Sequence, residues 1–206
     1  MSKKPKLTGI ILVSFEYPPR RLSKISDSVE KLAHFLSKRG IKTWVVTFDD
    51  WRSDVEQVSK DLIIHRIPYH VPNNISELAM IMNLKVSYQA AIASILHTEK
   101  IKLIHFFDWM TLPVLIPWAK ELKQKLVYSA NSVQLTRDSS TNPYNSGIQR
   151  IEEMGFEVAD LITANSDKLS QIITSNYNIG KNKVYLSTLA KKKSFEELLE
   201  RYEQLI

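Results

Sequence analysis

The sequence predicts a Rossmann-like, doubly wound α/β domain with a mostly parallel sheet, and three observations carry that expectation. Short apolar runs rich in β-branched residues recur seven times, and segments of helical period separate most of them. The first run passes directly into Phe15-Glu16-Tyr17-Pro18-Pro19, followed by a turn that contains no glycine. Strands that alternate with helices wind into a parallel sheet through right-handed crossovers, with helices on both faces.

The elements follow in order. Ile10 to Ser14 reads as the first strand, ending at the carboxyl edge of the sheet, so residues 15–26 line the crevice where open α/β sheets bind ligands. All five glycines (Gly9, Gly40, Gly147, Gly155 and Gly180) lie outside it. Val29, Leu32, Ala33 and Leu36 repeat at helical spacing, preceded by an Asp27/Glu30 capping pair and followed by Gly40 at the C-cap. Thr43 to Phe48 and Leu62 to Ile67 are strands, and a helix is expected from about Ile75 to His97. Lys102 to Phe106 and Lys125 to Ser129 are strands on either side of a helix from Thr111 to Lys120. Val133 to Ser146, carrying Thr, Ser, Asn and Pro143, reads as irregular; loops of that length are often functional, and disorder is the plain alternative. Helices at Ile148 to Val158 and Asp167 to Tyr177 bracket the strand Leu161 to Ala164, and Lys183 to Leu186 is the last strand. Beyond the lysine run 191–193, Ser194 with Glu197 forms a capping box. Phe195, Leu198, Leu199, Tyr202, Leu205 and Ile206 then make one apolar face that must dock, on its own domain in preference to a partner surface. The organisation is thus one domain over 1–190 with a closing helix at 191–206.

Composition narrows the function classes. A chain of 206 residues with 44% hydrophobic content buries one sizeable core. No apolar run approaches the roughly 18 residues of a membrane span, and Lys3, Lys4, Pro5 and Lys6 lack the apolar stretch of a secretory signal, so a cytoplasmic protein without membrane contact is expected. Zero cysteines remove disulfides, thiolate metal sites and a cysteine nucleophile. His65 and His70 stand on opposite faces of a strand, so no metal is expected. The net charge of +6 comes from lysines scattered over helix faces and termini, a pattern that speaks against nucleic acid. Arg20, Arg21 and Lys24 form the densest basic cluster in a plausible site, read either as an anion-binding group or as a solvated loop face. No nucleophile elbow and no dinucleotide glycine fingerprint are present.

Four segments carry a resemblance. Ile11-Leu12-Val13-Ser14-Phe15-Glu16-Tyr17-Pro18-Pro19 opens it, followed by Val29-Glu30-Lys31-Leu32-Ala33, Lys38-Arg39-Gly40 and Trp44-Val45-Val46-Thr47. Ile104-His105-Phe106-Phe107-Asp108-Trp109 is similar to a His-x-His-Asp-Trp turn, and Asn131-Ser132, Arg137, Ile151-Glu152, Gly155, Ala159-Asp160-Leu161-Ile162 and Asn165-Ser166 come in the matching order. Over residues 7–190 the chain resembles the N-terminal, acceptor-side domain of retaining GT-B glycosyltransferases of family four, in particular the glycogen and starch synthase branch.

That resemblance implies a domain that holds a glucan or oligosaccharide acceptor, while a second, donor-binding domain binds most of the nucleotide sugar. The chain reads as an N-terminal domain plus the helix that closes such enzymes, so no cofactor is expected of it, and the donor site would come from a protein partner. A degenerate interaction module, covered by a partner or in a homodimer, is the alternative. Substrate-binding candidates are Glu16, His105, Asp108, Trp109, Asn131, Arg137 and Glu152; none is assigned a catalytic role. Each has a structural reading as well: a salt bridge from Glu16 to Arg20 or Arg21, a satisfied core histidine at 105, a helix cap at Asp108, core packing at Trp109, an exposed loop charge at Arg137 and a solvated helix position at Glu152. The departures are equally specific. Ser23, Lys24, Ile25 and Ser26 replace the family's glycine-rich phosphate loop, where side chains block close backbone approach. Phe107 replaces the second histidine of the turn and Asn131 another, and phenylalanine neither donates a hydrogen bond nor titrates.

Overall fold

The computed structural model describes residues 6–68, 76–189 and 192–206. Its elements are β1 (Gly9–Ser14), α1 (Lys24–Lys38), β2 (Lys42–Asp49), β3 (Val55–Ser59), β4 (Leu62–Pro68), α2 (Glu77–Thr98), β5 (Leu103–Phe107), α3 (Leu112–Leu115), β6 (Lys125–Ala130), α4 (Gln134–Arg137), α5 (Pro143–Val158), β7 (Leu161–Ala164), α6 (Asp167–Asn176), β8 (Val184–Leu186) and α7 (Lys192–Leu205). The sheet order is β3-β4-β2-β1-β5-β6-β7-β8, with every pair parallel except β3 against β4. This is the expected doubly wound sheet.

Period-two alternation divides the core. Ile11, Val13, Val46, Phe48, Ile104, Phe106 and Tyr128 pack beneath α2, α3, α5 and α6, while Ile10, Leu12, Val45, Leu103 and Val127 pack beneath α1 and α7. Closing helix α7 docks on its own domain: Phe195, Leu198, Leu199 and Tyr202 are buried there. Among the described residues one helix, α2, is long and apolar enough by length and composition to cross a membrane, unlike the expectation that no run approaches that; here its stripe of Ile81, Leu84, Tyr88, Ile92 and Ile95 is buried in the core.

Several local expectations are corrected. Helix α1 starts three residues before Asp27, capped by Ser23, whose hydroxyl accepts from the Ile25 amide. Its far end is as expected: Gly40 at φ 76° donates to Ser37 O, and Ile41 donates to Leu36 O, the paired bonds of a Schellman ending. The helix expected at 111–120 is broken into the four-residue α3 between two 3-10 turns, because Pro113 and Pro117 lack the amide that a continuous helix requires. Helix α7 begins at Lys192, placing Ser194 inside its first turn and not at its cap. The irregular stretch 133–146 contains α4 and the start of α5, which Asn142 caps and Pro143 opens. Strand β3 was not foreseen, since its side chains are mostly exposed and no apolar run marks it. His70 and Ile75 lie outside the described residues.

Candidate functional site

In strand order the chain leaves β1 toward β2 on one side and returns at β5 on the other. The carboxyl ends of β1 and β5 therefore frame the switch point at which such sheets bind ligands. A cavity of about 220 Å³ opens there. Ser14, Phe15 and Glu16 from the end of β1, Leu22, Ser23 and Ile25 from the start of α1, Glu77 from α2, and Phe107, Asp108 and Met110 after β5 line it. Tyr88 of α2 fixes the floor by donating to the Ser14 carbonyl at 2.9 Å.

Asp108 is the most unusual residue of this site. Its backbone stands at φ 65°, ψ 162°, a region that is essentially glycine-only and costs about 1–3 kcal/mol for other residues. Its amide donates to Ser129 O at 3.0 Å, and its carboxylate accepts from the Trp109 amide at 2.7 Å. Among the described residues no second hydrogen bond to that carboxylate is seen. Burial raises its pKa to about 6, against the lowering effects of the Trp109 hydrogen bond and the Arg137 charge. Asp108 is thus a strained, half-desolvated acid with acceptor capacity left over at the cavity wall.

Glu16 has a different fate. Only 5% exposed, its carboxylate accepts from the amides of Leu22 at 2.6 Å and Ser23 at 2.8 Å, and from the Ser23 hydroxyl. The expected salt bridge to Arg20 or Arg21 is replaced by these bonds. The chain's own carboxylate thus occupies the amides that lead into α1.

The basic cluster is divided among different partners. Arg20 pairs with Asp50 at 2.9 Å and lies over the rings of Phe15 and Phe48, whereas Arg21 pairs with Asp27 and Glu30 on α1. The two guanidiniums are bound to different elements, and Lys24 opens α1 as an exposed residue. The three are not brought together as one anion site.

Three other candidates lie inside the protein, in the positions that their structural readings describe or deeper. His105 is fully buried: Nδ1 meets the Tyr202 hydroxyl of α7, and Nε2 meets Ser129 Oγ at 2.7 Å, which reaches Thr163 Oγ1 at 2.5 Å. Burial pushes its pKa down to about 3, so it is neutral. Glu152 is also fully buried. It accepts from the Gln134 amide, from Arg137 at 2.7 Å and from the Tyr177 hydroxyl at 2.6 Å. Trp109 is core, with the Arg137 guanidinium 5.7 Å from its ring centre. Arg137 also donates to Ser132 and Gln134, so it braces the loop after β6 and is no free loop charge.

Asn131 lines a second cavity, of about 190 Å³, at the carboxyl ends of β6 and β7, together with Ser132, Thr136, Asn165, Ser166 and Lys168. Asn165 donates to Asn131 O at 2.9 Å. Sequence reasoning placed residues 15–26 at the crevice and singled out Glu16 and Asp108, but missed Ser14, Glu77 and Met110 as lining residues; for Ser14, its place at the end of β1 was the available signal. Among the described residues no cluster of three or more His, Cys, Asp or Glu has the form of a metal site.

Comparison with known proteins gives these features a context. No curated protein sequence matches. The chain is similar to two structures of sucrose-phosphate synthase from Thermosynechococcus elongatus. One is matched at TM-score 0.68 and 15% identity over 96% of this chain and 97% of that one. The other, at TM-score 0.69 and 14% identity, is matched over 87% of this chain and 47% of that one. It is also similar to the catalytic domain of starch synthase IV from Arabidopsis thaliana bound to ADP and acarbose, at TM-score 0.59 and 11% identity, over 87% of this chain and 51% of that one. The chain thus spans about half of the two longer structures. At these identities they show the shared GT-B fold alone. The family model for Glycosyltransferase Family 4 matches residues 25–186, most of the chain, and the protein therefore belongs to Glycosyltransferase Family 4.

Proposed function

We propose that this domain supplies the acceptor side of a sugar-transfer site, holding a glucan or oligosaccharide against Asp108, and that a partner domain supplies the nucleotide-sugar donor. The observation that carries this reading is Asp108 itself. A carboxylate with spare acceptor capacity, kept at a switch point in strained backbone and against its own solvation, is a costly arrangement that the fold alone does not need. Phe15, Phe107 and Met110 give the cavity apolar walls for the C–H faces of a sugar ring, while Asp108 accepts from its hydroxyls.

The cavity is smaller than the roughly 300–1,000 Å³ of a complete ligand pocket, which suits one half of a cleft. The Glu16 carboxylate on the Leu22 and Ser23 amides speaks against donor phosphate at the same place, since two anions would compete for those donors. Transfer by this chain alone is accordingly expected to be weak or absent. Calorimetric titration and thermal shift with maltohexaose test the reading. Saturable binding and a rise in melting temperature, both lost in Asp108→Ala, are expected. A sugar-indifferent tight dimer would replace the reading with an interaction module, and turnover of UDP- or ADP-glucose by the chain alone would overturn the need for a donor partner.

A further inference from the structure

Trp51 is the most exposed large apolar side chain among the described residues, at 94%. It belongs to a turn that is built with care. Asp49, at the end of β2, accepts from the amides of Trp51 at 3.0 Å and Arg52 at 3.2 Å through one oxygen, while its other oxygen pairs with buried Arg66 at 3.3 Å. Arg66 also donates to Pro18 O at 2.9 Å, and Arg20 pairs with Asp50. Pro18 and Arg20 belong to the same loop, residues 15–23, that walls the cavity beside Asp108. The turn bearing Trp51 is therefore tied twice to the cavity wall.

Its position follows from the topology. β2 is the neighbour of β1 and ends at the same carboxyl edge. With strands about 4.8 Å apart, the end of β2 lies about 7 Å in the plane of the sheet from the midpoint between β1 and β5. Leu22, which lines the cavity and is 64% exposed, is a second bare apolar side chain at this edge. A large flat ring on a turn tied to the cavity wall, with its faces open to water, matches what a pyranose requires beyond its first recognised unit: an apolar surface for the ring's C–H face.

We propose that Trp51 is an aromatic platform that binds the continuing chain of an oligosaccharide acceptor, a subsite beyond the cavity of Asp108 that makes the domain prefer chains over short sugars. This rests on the reading of the Asp108 cavity as a sugar site. The residue touches the chain and takes no part in any bond-making step.

The test compares maltohexaose and maltose on wild type, Trp51→Ala, Trp51→Phe and Asp108→Ala. Trp51→Ala is expected to weaken maltohexaose about fivefold or more, as truncation of a binding hot spot does, and to leave maltose binding and the melting temperature unchanged. Trp51→Phe is expected to restore most of the loss. Equal maltohexaose affinity in Trp51→Ala and wild type, with binding still lost in Asp108→Ala, would overturn the platform while keeping the sugar site. Equal weakening of both sugars in Trp51→Ala would also overturn it. Failure of wild type to bind either sugar would remove the functional reading and this inference together.

Discussion

Replacing Asp108 by Asn should stabilise the protein at neutral pH while removing the acidic function. Burial lifts the Asp108 pKa from 3.8 to about 6, which corresponds to at most about 3 kcal/mol of lost stability when the carboxylate is charged. The sign follows from proton uptake: between pH 3.8 and 6 the folded state binds more protons than the unfolded state, so stability falls as pH rises through that window. Below it both states are protonated and the charge costs nothing; above it the full cost is present. Asparagine keeps an acceptor for the Trp109 amide and leaves the backbone strain unchanged, so the charge is the main thing removed. At roughly 2–4 °C per kcal/mol for a chain of this size, Asp108→Asn should melt up to about 6–12 °C higher than wild type at pH 7.5, and the two should converge by pH 4. Differential scanning calorimetry across that range decides the matter. A variant equally or less stable at pH 7.5, or a difference that does not change with pH, would refute the argument that the acid is held against its solvation.

Tyr202→Phe strips the His105 imidazole of its α7 partner in the core and should cost about 1–3 kcal/mol in urea unfolding; His105→Phe in the same chain should recover part of that loss. Glu152→Ala leaves Arg137, Tyr177 and the Gln134 amide without their shared acceptor, and about 3–5 kcal/mol should disappear from the unfolding free energy, with Glu152→Gln less severe. Gly155→Ala places a methyl group 2.5 and 2.6 Å from the two terminal carbons of buried Leu112, so a loss of about 1–3 kcal/mol is expected. Combining it with Leu112→Ala should cost less than the sum of the two single changes in a double-mutant cycle.

Much of the architecture was legible in the chain because it depends on local periodicity. Alternating β-branched runs identified seven of the eight strands, and the i, i+3, i+4 spacing of Val29, Leu32, Ala33 and Leu36 identified α1 together with its glycine ending. The order of segments also carried the family, and the docking of α7 followed from its single apolar face. The misses share a physical cause, since each depends on a partner outside its own element. β3 exists because β4 offers it an edge to pair with, not because its own residues demand a strand. His105 read as either a cleft residue or a satisfied core histidine, and the partner that satisfies it, Tyr202, stands 97 positions later. Glu152 looked like a surface acid until Gln134, Arg137 and Tyr177 converged on it.

The site divides in the same way. Sequence alone determined that residues 15–26 and the turn at Asp108 would meet at a sheet edge, because strand ends in a doubly wound fold must face a common crevice. Only the tertiary structure decided that Glu16 would turn inward onto the Leu22 and Ser23 amides while Asp108, with one hydrogen bond to its carboxylate among the described residues, lined the cavity. That choice belongs to hydrogen-bond geometry and desolvation, which depend on which groups the folded chain brings within about 3 Å, and no local pattern of residues encodes them.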